Sequence, residues 1–131
     1  MADATGTFEI TRWDEAPYDK AEGATLGRVT VGKTFRGALS GSSAAELLTA
    51  TADVPGSAAY VGIERFTGTL DGRAGTFVLR HAAMMSGDGG DMTVVVLPDS
   101  GADELRTLRG ELDITRHPDG THSYALHYRL G

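Results

Sequence analysis

An Asp-Gly pair, Asp71-Gly72, sits between two long alternating runs that together span Ala59 to Met85, and it constrains this chain more than any other feature. A type I′ turn needs positive φ at both central positions, which Asp and Gly tolerate, so the pair predicts a tight β-hairpin. The turn also fixes register. With Leu70 facing Arg73, Phe66 faces Phe77, Glu64 faces Leu79, Gly62 faces His81 and Tyr60 faces Ala83. Side chains alternate along a strand and opposed partners share a face. Tyr60, Glu64, Phe66, Phe77, Leu79 and His81 therefore lie together, with Arg65 and Arg80 on the other side. A carboxylate and an imidazole stand diagonally on an otherwise aromatic and aliphatic surface, the pattern of a pocket wall.

The same period-two reading extends along the chain. Phe8 to Trp13 predicts a first strand, closed by a loop from Asp14 to Gly23. Leu26 to Gly37 is a second, with Val29, Val31, Lys33 and Phe35 on one face. Ser43 to Ala52 carries helix formers but is read as a third strand because strands flank it. The hairpin supplies the fourth and fifth. Met92 to Leu97, apolar on both faces, is a sixth strand after the loop Ser86 to Asp91. Gly101 to Leu108 resembles one helical turn. Gly110 to Arg116 makes a seventh strand, and beyond Pro118-Asp119-Gly120 an eighth alternates Tyr124, Leu126, Tyr128 and Leu130 with Ser123, Ala125, His127 and Arg129. Eight short-linked strands predict an all-β fold: one domain over residues 1–131, a closed eight-stranded antiparallel meander barrel with at most one short helix. Such a barrel has an interior just wide enough to fill with side chains or to hold one small ligand.

Composition excludes several function classes. The 131 residues include no cysteine, which removes thiol catalysis, disulfide scaffolds and the usual zinc sites. A formal charge of −6 with scattered basic residues argues against nucleic-acid binding. No run of 18 apolar residues predicts a membrane helix, and the start Met1-Ala-Asp-Ala-Thr-Gly6 lacks the parts of a signal peptide, so a cytoplasmic protein is expected. Neither Asp88-Gly-Gly-Asp91 nor the Asp14–Glu22 region has the donor spacing of a calcium loop, and no metal or other cofactor is expected. Gly41-Ser-Ser-Ala-Ala45 lacks the second glycine of a nucleophile elbow.

Several segments together resemble a bacterial family of small single-domain proteins of unknown function. They are Ala4 to Tyr18, Lys33-Thr-Phe-Arg-Gly37, Gly62 to Gly68, Gly72 to His81, Leu105 to Glu111 and Tyr124-Ala-Leu-His-Tyr128. The resemblance covers nearly the whole chain and implies an allene oxide cyclase-like barrel, a closed eight-stranded antiparallel meander that is often dimeric. Proteins with that barrel include cyclases of lipid epoxides and of natural products, and dirigent proteins. The fold alone assigns no activity.

The candidate chemistry rests on few residues. Glu64 and His81 are the candidate catalytic pair, a carboxylate beside an imidazole that can take up and return a proton. Lys33 shares its face with Val29, Val31 and Phe35, so it points inward with them, to pair with Glu64, snorkel outward or hold an anionic ligand. Tyr60, Tyr124 and Tyr128, with Phe66 and Phe77, offer aromatic area for a ligand or for core packing. Trp13 caps or plugs the barrel mouth. The primary expectation is a barrel that binds a small apolar or aromatic molecule. A cofactor-free cyclase or isomerase using Glu64 and His81 is the alternative, and a structural dimer with a filled lumen is the second. Outward Val61, Ile63 and Val78, with the doubly apolar Met92–Leu97, predict a homodimer.

Overall fold

Alternation and turn chemistry produce long antiparallel strands with tight connections. The structure, a computed structural model, describes residues 1–131. It contains β1 (Ala2–Ala21), β2 (Ala24–Gly37), β3 (Leu39–Ala52), β4 (Ala58–Leu70), β5 (Arg73–Ser86), β6 (Gly89–Val96), β7 (Ala102–Asp103), β8 (Arg109–Arg116) and β9 (His122–Arg129). No helix forms, so none is long and apolar enough to cross a membrane. Each strand pairs antiparallel with the next, β8 follows β6, and β9 returns to β1, which closes an eight-stranded barrel. β7 is a two-residue addition against β5. Asp71 and Gly72 take φ of 49° and 86°, and the β4–β5 register is the one their turn dictates, from Leu70↔Arg73 to Ala58↔Met85.

The barrel is closed at one end and splayed at the other. β9 pairs with β1 only over Ala2–Phe8, and β6 meets β8 only at Val95↔Glu111. The β8–β9 hairpin is eight residues a side, whereas β1 to β5 run 13 to 20. Above the level of Phe8 and His122, β1 and β6 therefore have free edges, and the long strands continue as an open, curled sheet. The closed end is filled by one core that includes Phe8, Phe35, Phe66, Phe77, Leu79, Leu112, Tyr124 and Leu126. Its rings meet edge-on or tilted, with Phe66 and Phe77 centroids 5.1 Å apart and Phe35 and Phe66 5.5 Å apart. The open end carries a smaller cluster of Val29, Val31, Ala45 and Leu47, with Tyr60 packed against it.

One clasp ties the ends of the meander together. The Tyr124 hydroxyl accepts the Leu39 N–H at 2.8 Å and donates toward the carbonyl of Arg36 at 2.9 Å, joining β9 to the β2–β3 turn. Gly6 makes room for it, since a Cβ there would stand 2.5 Å from that hydroxyl.

Four expectations need correction. The segment Asp14–Ala21 is strand, not loop: it pairs with β2 through Ala21↔Ala24, with register shifts between Ile10 and Arg12 and between Pro17 and Asp19. Both of its faces are wet, so no apolar period marks it, and its charges, proline and bulges are devices that protect a free edge. The Ser86–Asp91 loop shrinks to a turn at Gly87-Asp88, and Gly101–Leu108 is not helical. It forms the short β7 and successive tight turns, with Leu105 N–H to Ala102 O and Leu108 N–H to Leu105 O at 3.1 Å each. Val78 does face outward, but the β6–β7 connection buries it: its N–H donates to Ser100 Oγ at 3.0 Å and its carbonyl accepts the Leu97 N–H at 2.9 Å.

Candidate functional site

Between the filled core and the open end lies a layer of polar side chains, one from each of four consecutive strands. Register builds it. Lys33 on β2 lies opposite Ser43 on β3, Ser43 opposite Phe66 and Ala45 opposite Glu64 on β4, and Gly62 opposite His81 on β5. All four side chains point inward and all are buried, Glu64 at 0% and His81 at 3% exposure.

Glu64 is the hub. Its Oε1 lies 2.6 Å from His81 Nε2 and 3.2 Å from Lys33 Nζ, and its Oε2 accepts the Ser43 hydroxyl at 2.5 Å. Burial alone pushes a carboxyl upward, but the His81 hydrogen bond, the Lys33 charge and the Ser43 hydroxyl outweigh it and hold Glu64 at about 2. The carboxylate is ionised and accepts only, so His81 Nε2 carries the hydrogen of that contact and Nδ1 is turned away from it. That nitrogen faces the Tyr60 hydroxyl at 3.4 Å, which also reaches Met92 Sδ at 3.4 Å. Burial and the nearby Glu64 charge raise Tyr60 above its ordinary value. The result is a chain of Tyr60, His81 and Glu64 running from the half-buried open end to the barrel floor. Chemically it resembles a base oriented by a carboxylate, with a phenol as the group nearest the opening.

Lys33 does not snorkel. Its ammonium pairs with Glu64 and lies 4.7 Å from the centroid of Phe8, a cation–π contact. Trp13 lies opposite Val31 on the inner face, half exposed at 50%, with its indole N–H on Glu15 Oε1. It stands at the rim of the opening and plugs nothing. Phe66, Phe77, Tyr124 and Tyr128 lie in the filled core, away from Trp13 and Tyr60. Tyr128 donates to Asp71 Oδ2 at 2.5 Å, pinning the hairpin tip, and that bond raises its phenol above the ordinary value. The structure thus joins Glu64, His81, Lys33 and Tyr60, with Trp13 above them, and separates the other four.

Ser43 and Met92 were missed by the sequence reading. Ser43 is legible in hindsight, two residues before Ala45 on the face of a strand whose pairing with Lys33 follows from the Gly37-Ala38 turn. Met92 occupies the inner face opposite Ala83 and is 42% exposed at the free β6 edge. Two clefts of about 520 and 540 Å³ lie on the outer face of β3, β4 and β5, over positions such as Ala50, Ala59 and Met84, and Leu48, Val61 and Ile63.

The model of a family described as a protein of unknown function, DUF3224, matches residues 4–128. A crystal structure of a protein with unknown function from that family, from Shewanella oneidensis MR-1, is 37% identical and superposes with a TM-score of 0.87. The alignment covers 100% of this chain and 98% of that one. No curated protein matches this chain.

Proposed function

The chain belongs to the DUF3224 family of unknown function, and from that premise we propose that it binds a small apolar or aromatic molecule at the splayed end of its barrel. One observation carries the reading. Large apolar side chains on the inner face, Trp13, Ile10 and Met92, remain exposed there above a buried polar floor, while the other end is packed shut. An inward apolar rim over a few fixed polar groups is the usual make-up of a ligand site. Trp13 is the only tryptophan, so an apolar aromatic ligand such as N-phenyl-1-naphthylamine should quench or blue-shift its emission on titration. Unchanged Trp13 emission at saturation would count against the site.

A second reading, a cofactor-free isomerase or cyclase, is favoured by the Tyr60–His81–Glu64 chain. In that reading the Tyr60 hydroxyl delivers or accepts the proton, His81 relays it through Nδ1, and Glu64 stabilises the imidazolium. Entry of solvent deuterium at a carbon next to the carbonyl of a bound ketone, lost in Tyr60→Phe with binding retained, is its signature. No exchange in the native protein would leave binding alone. The outer apolar face over β3 to β5 supports a homodimer in either case.

A further inference from the structure

The lip of the opening carries one unclaimed cation, Arg116, beside an imidazole, His122. Arg116 ends β8 and lies opposite His122, which starts β9 and lies opposite Phe8 on β1. Parity with Leu112, Tyr124 and Leu126 puts both side chains on the inner face, at the level of the polar layer. The His122 ring stacks on Phe8 with centroids 4.9 Å apart, and the same Phe8 ring lies 4.7 Å from Lys33 Nζ. No ion pair of the chain engages Arg116 or His122. The inward carboxylate of that layer, Glu64, is fully used by Lys33, Ser43 and His81. In a protein of net charge −6, a guanidinium and an imidazole side by side without a carboxylate are an unspent electrostatic feature.

We infer that the ligand is an amphiphile with a single anionic head, a carboxylate or sulfonate, which Arg116 and His122 hold at the lip while its apolar body lies against Trp13 and Tyr60. This rests on the binding reading above and specifies its ligand. A guanidinium matches the two oxygens of such a head, and a neutral imidazole adds one N–H donor. Burial, followed by the charges of Arg116, Lys33 and His117, depresses His122. A bound anion would offset the positive charges of Arg116 and Lys33 that surround this imidazole. His117, the remaining titratable neighbour on the turn, is engaged with Ser123 Oγ at 2.8 Å.

The test compares two fluorescent probes that differ by one sulfonate: 1-anilinonaphthalene-8-sulfonate and uncharged N-phenyl-1-naphthylamine. Arg116→Gln and His122→Gln should each weaken the sulfonate probe about tenfold and leave the uncharged one unchanged, as expected for one charge-assisted hydrogen bond. Arg129→Gln, which removes an exposed cation at the other end of β9, should change neither. Both positions are solvent-accessible, and unchanged melting temperatures would confirm that the variants fold. If the uncharged probe binds but the sulfonate probe is indifferent to both substitutions, or if both probes weaken together, the anionic head is refuted and the apolar site stands. If neither probe binds the native protein, the binding reading fails and this inference with it.

Discussion

Glu64 Oε1 and His81 Nε2 meet at 2.6 Å across the β4–β5 hairpin, both side chains buried in the barrel. They are diagonal neighbours, Glu64 opposite Leu79 and His81 opposite Gly62, and Gly62 leaves the space above them open to Leu47. Through this contact His81 connects Tyr60 at the open end to a fixed negative charge.

Removing the two partners should have unequal costs. Glu64→Ala strands the Lys33 ammonium in a buried site and is expected to cost about 3–5 kcal/mol. His81→Ala leaves the carboxylate with Lys33 and Ser43, so the loss should be nearer 1–3 kcal/mol. Urea unfolding of both variants measures the difference. The double variant Lys33→Met, Glu64→Leu should recover much of the loss, since apolar replacements of a buried pair are often neutral. Equal, small losses for both single variants would mean that the carboxylate is not the hub.

Stability should fall with acid in a defined window. Glu64 is depressed from 4.5 to about 2 in the folded protein, so its contribution is complete above pH 4.5 and is lost as pH falls through about 2. A shift of that size corresponds to about 3 kcal/mol. Thermal melts of the native protein and of Glu64→Gln between pH 6 and 2 should converge as the pH drops. Parallel curves would show that another group governs the acid limb.

The sequence revealed the hairpin register because Asp71-Gly72 admits few backbone solutions, and with it the shared face of Tyr60, Glu64 and His81. Inward Lys33 followed from the alternation of β2. What stayed hidden has a common cause. Asp14–Ala21 is strand with both faces in water, so hydrophobic periodicity, the main signal for a strand, is silent there. Arg116 and His122 sit at the facing ends of two strands, where alternation gives each a side but not the neighbours it meets across the barrel. The inequality of the two barrel ends depends on strand lengths and on which pairs continue, and local pattern does not encode it.

The outer face predicts self-association. Leu48, Val61, Ile63 and Met84 are exposed on adjoining strands, with the Arg28–Glu46 ion pair at 2.8 Å beside them. Light scattering at micromolar concentration should give twice the 13.7 kDa chain mass, and Ile63→Asp should halve it. A native monomer would contradict the dimer, and an Ile63→Asp dimer would place the interface elsewhere.

The most direct test of the central claim is where an apolar aromatic molecule binds. In ¹H–¹⁵N and methyl spectra of the native protein, titration with N-phenyl-1-naphthylamine should shift the Trp13 indole N–H, the Met92 methyl and the amides of Tyr60 and His81. The resonances of Leu126 and Phe77 in the filled core should stay in place. Shifts confined to Leu48, Val61 and Ile63 on the outer face, with Trp13 and Met92 unmoved at saturation, would contradict a ligand site at the open end of the barrel.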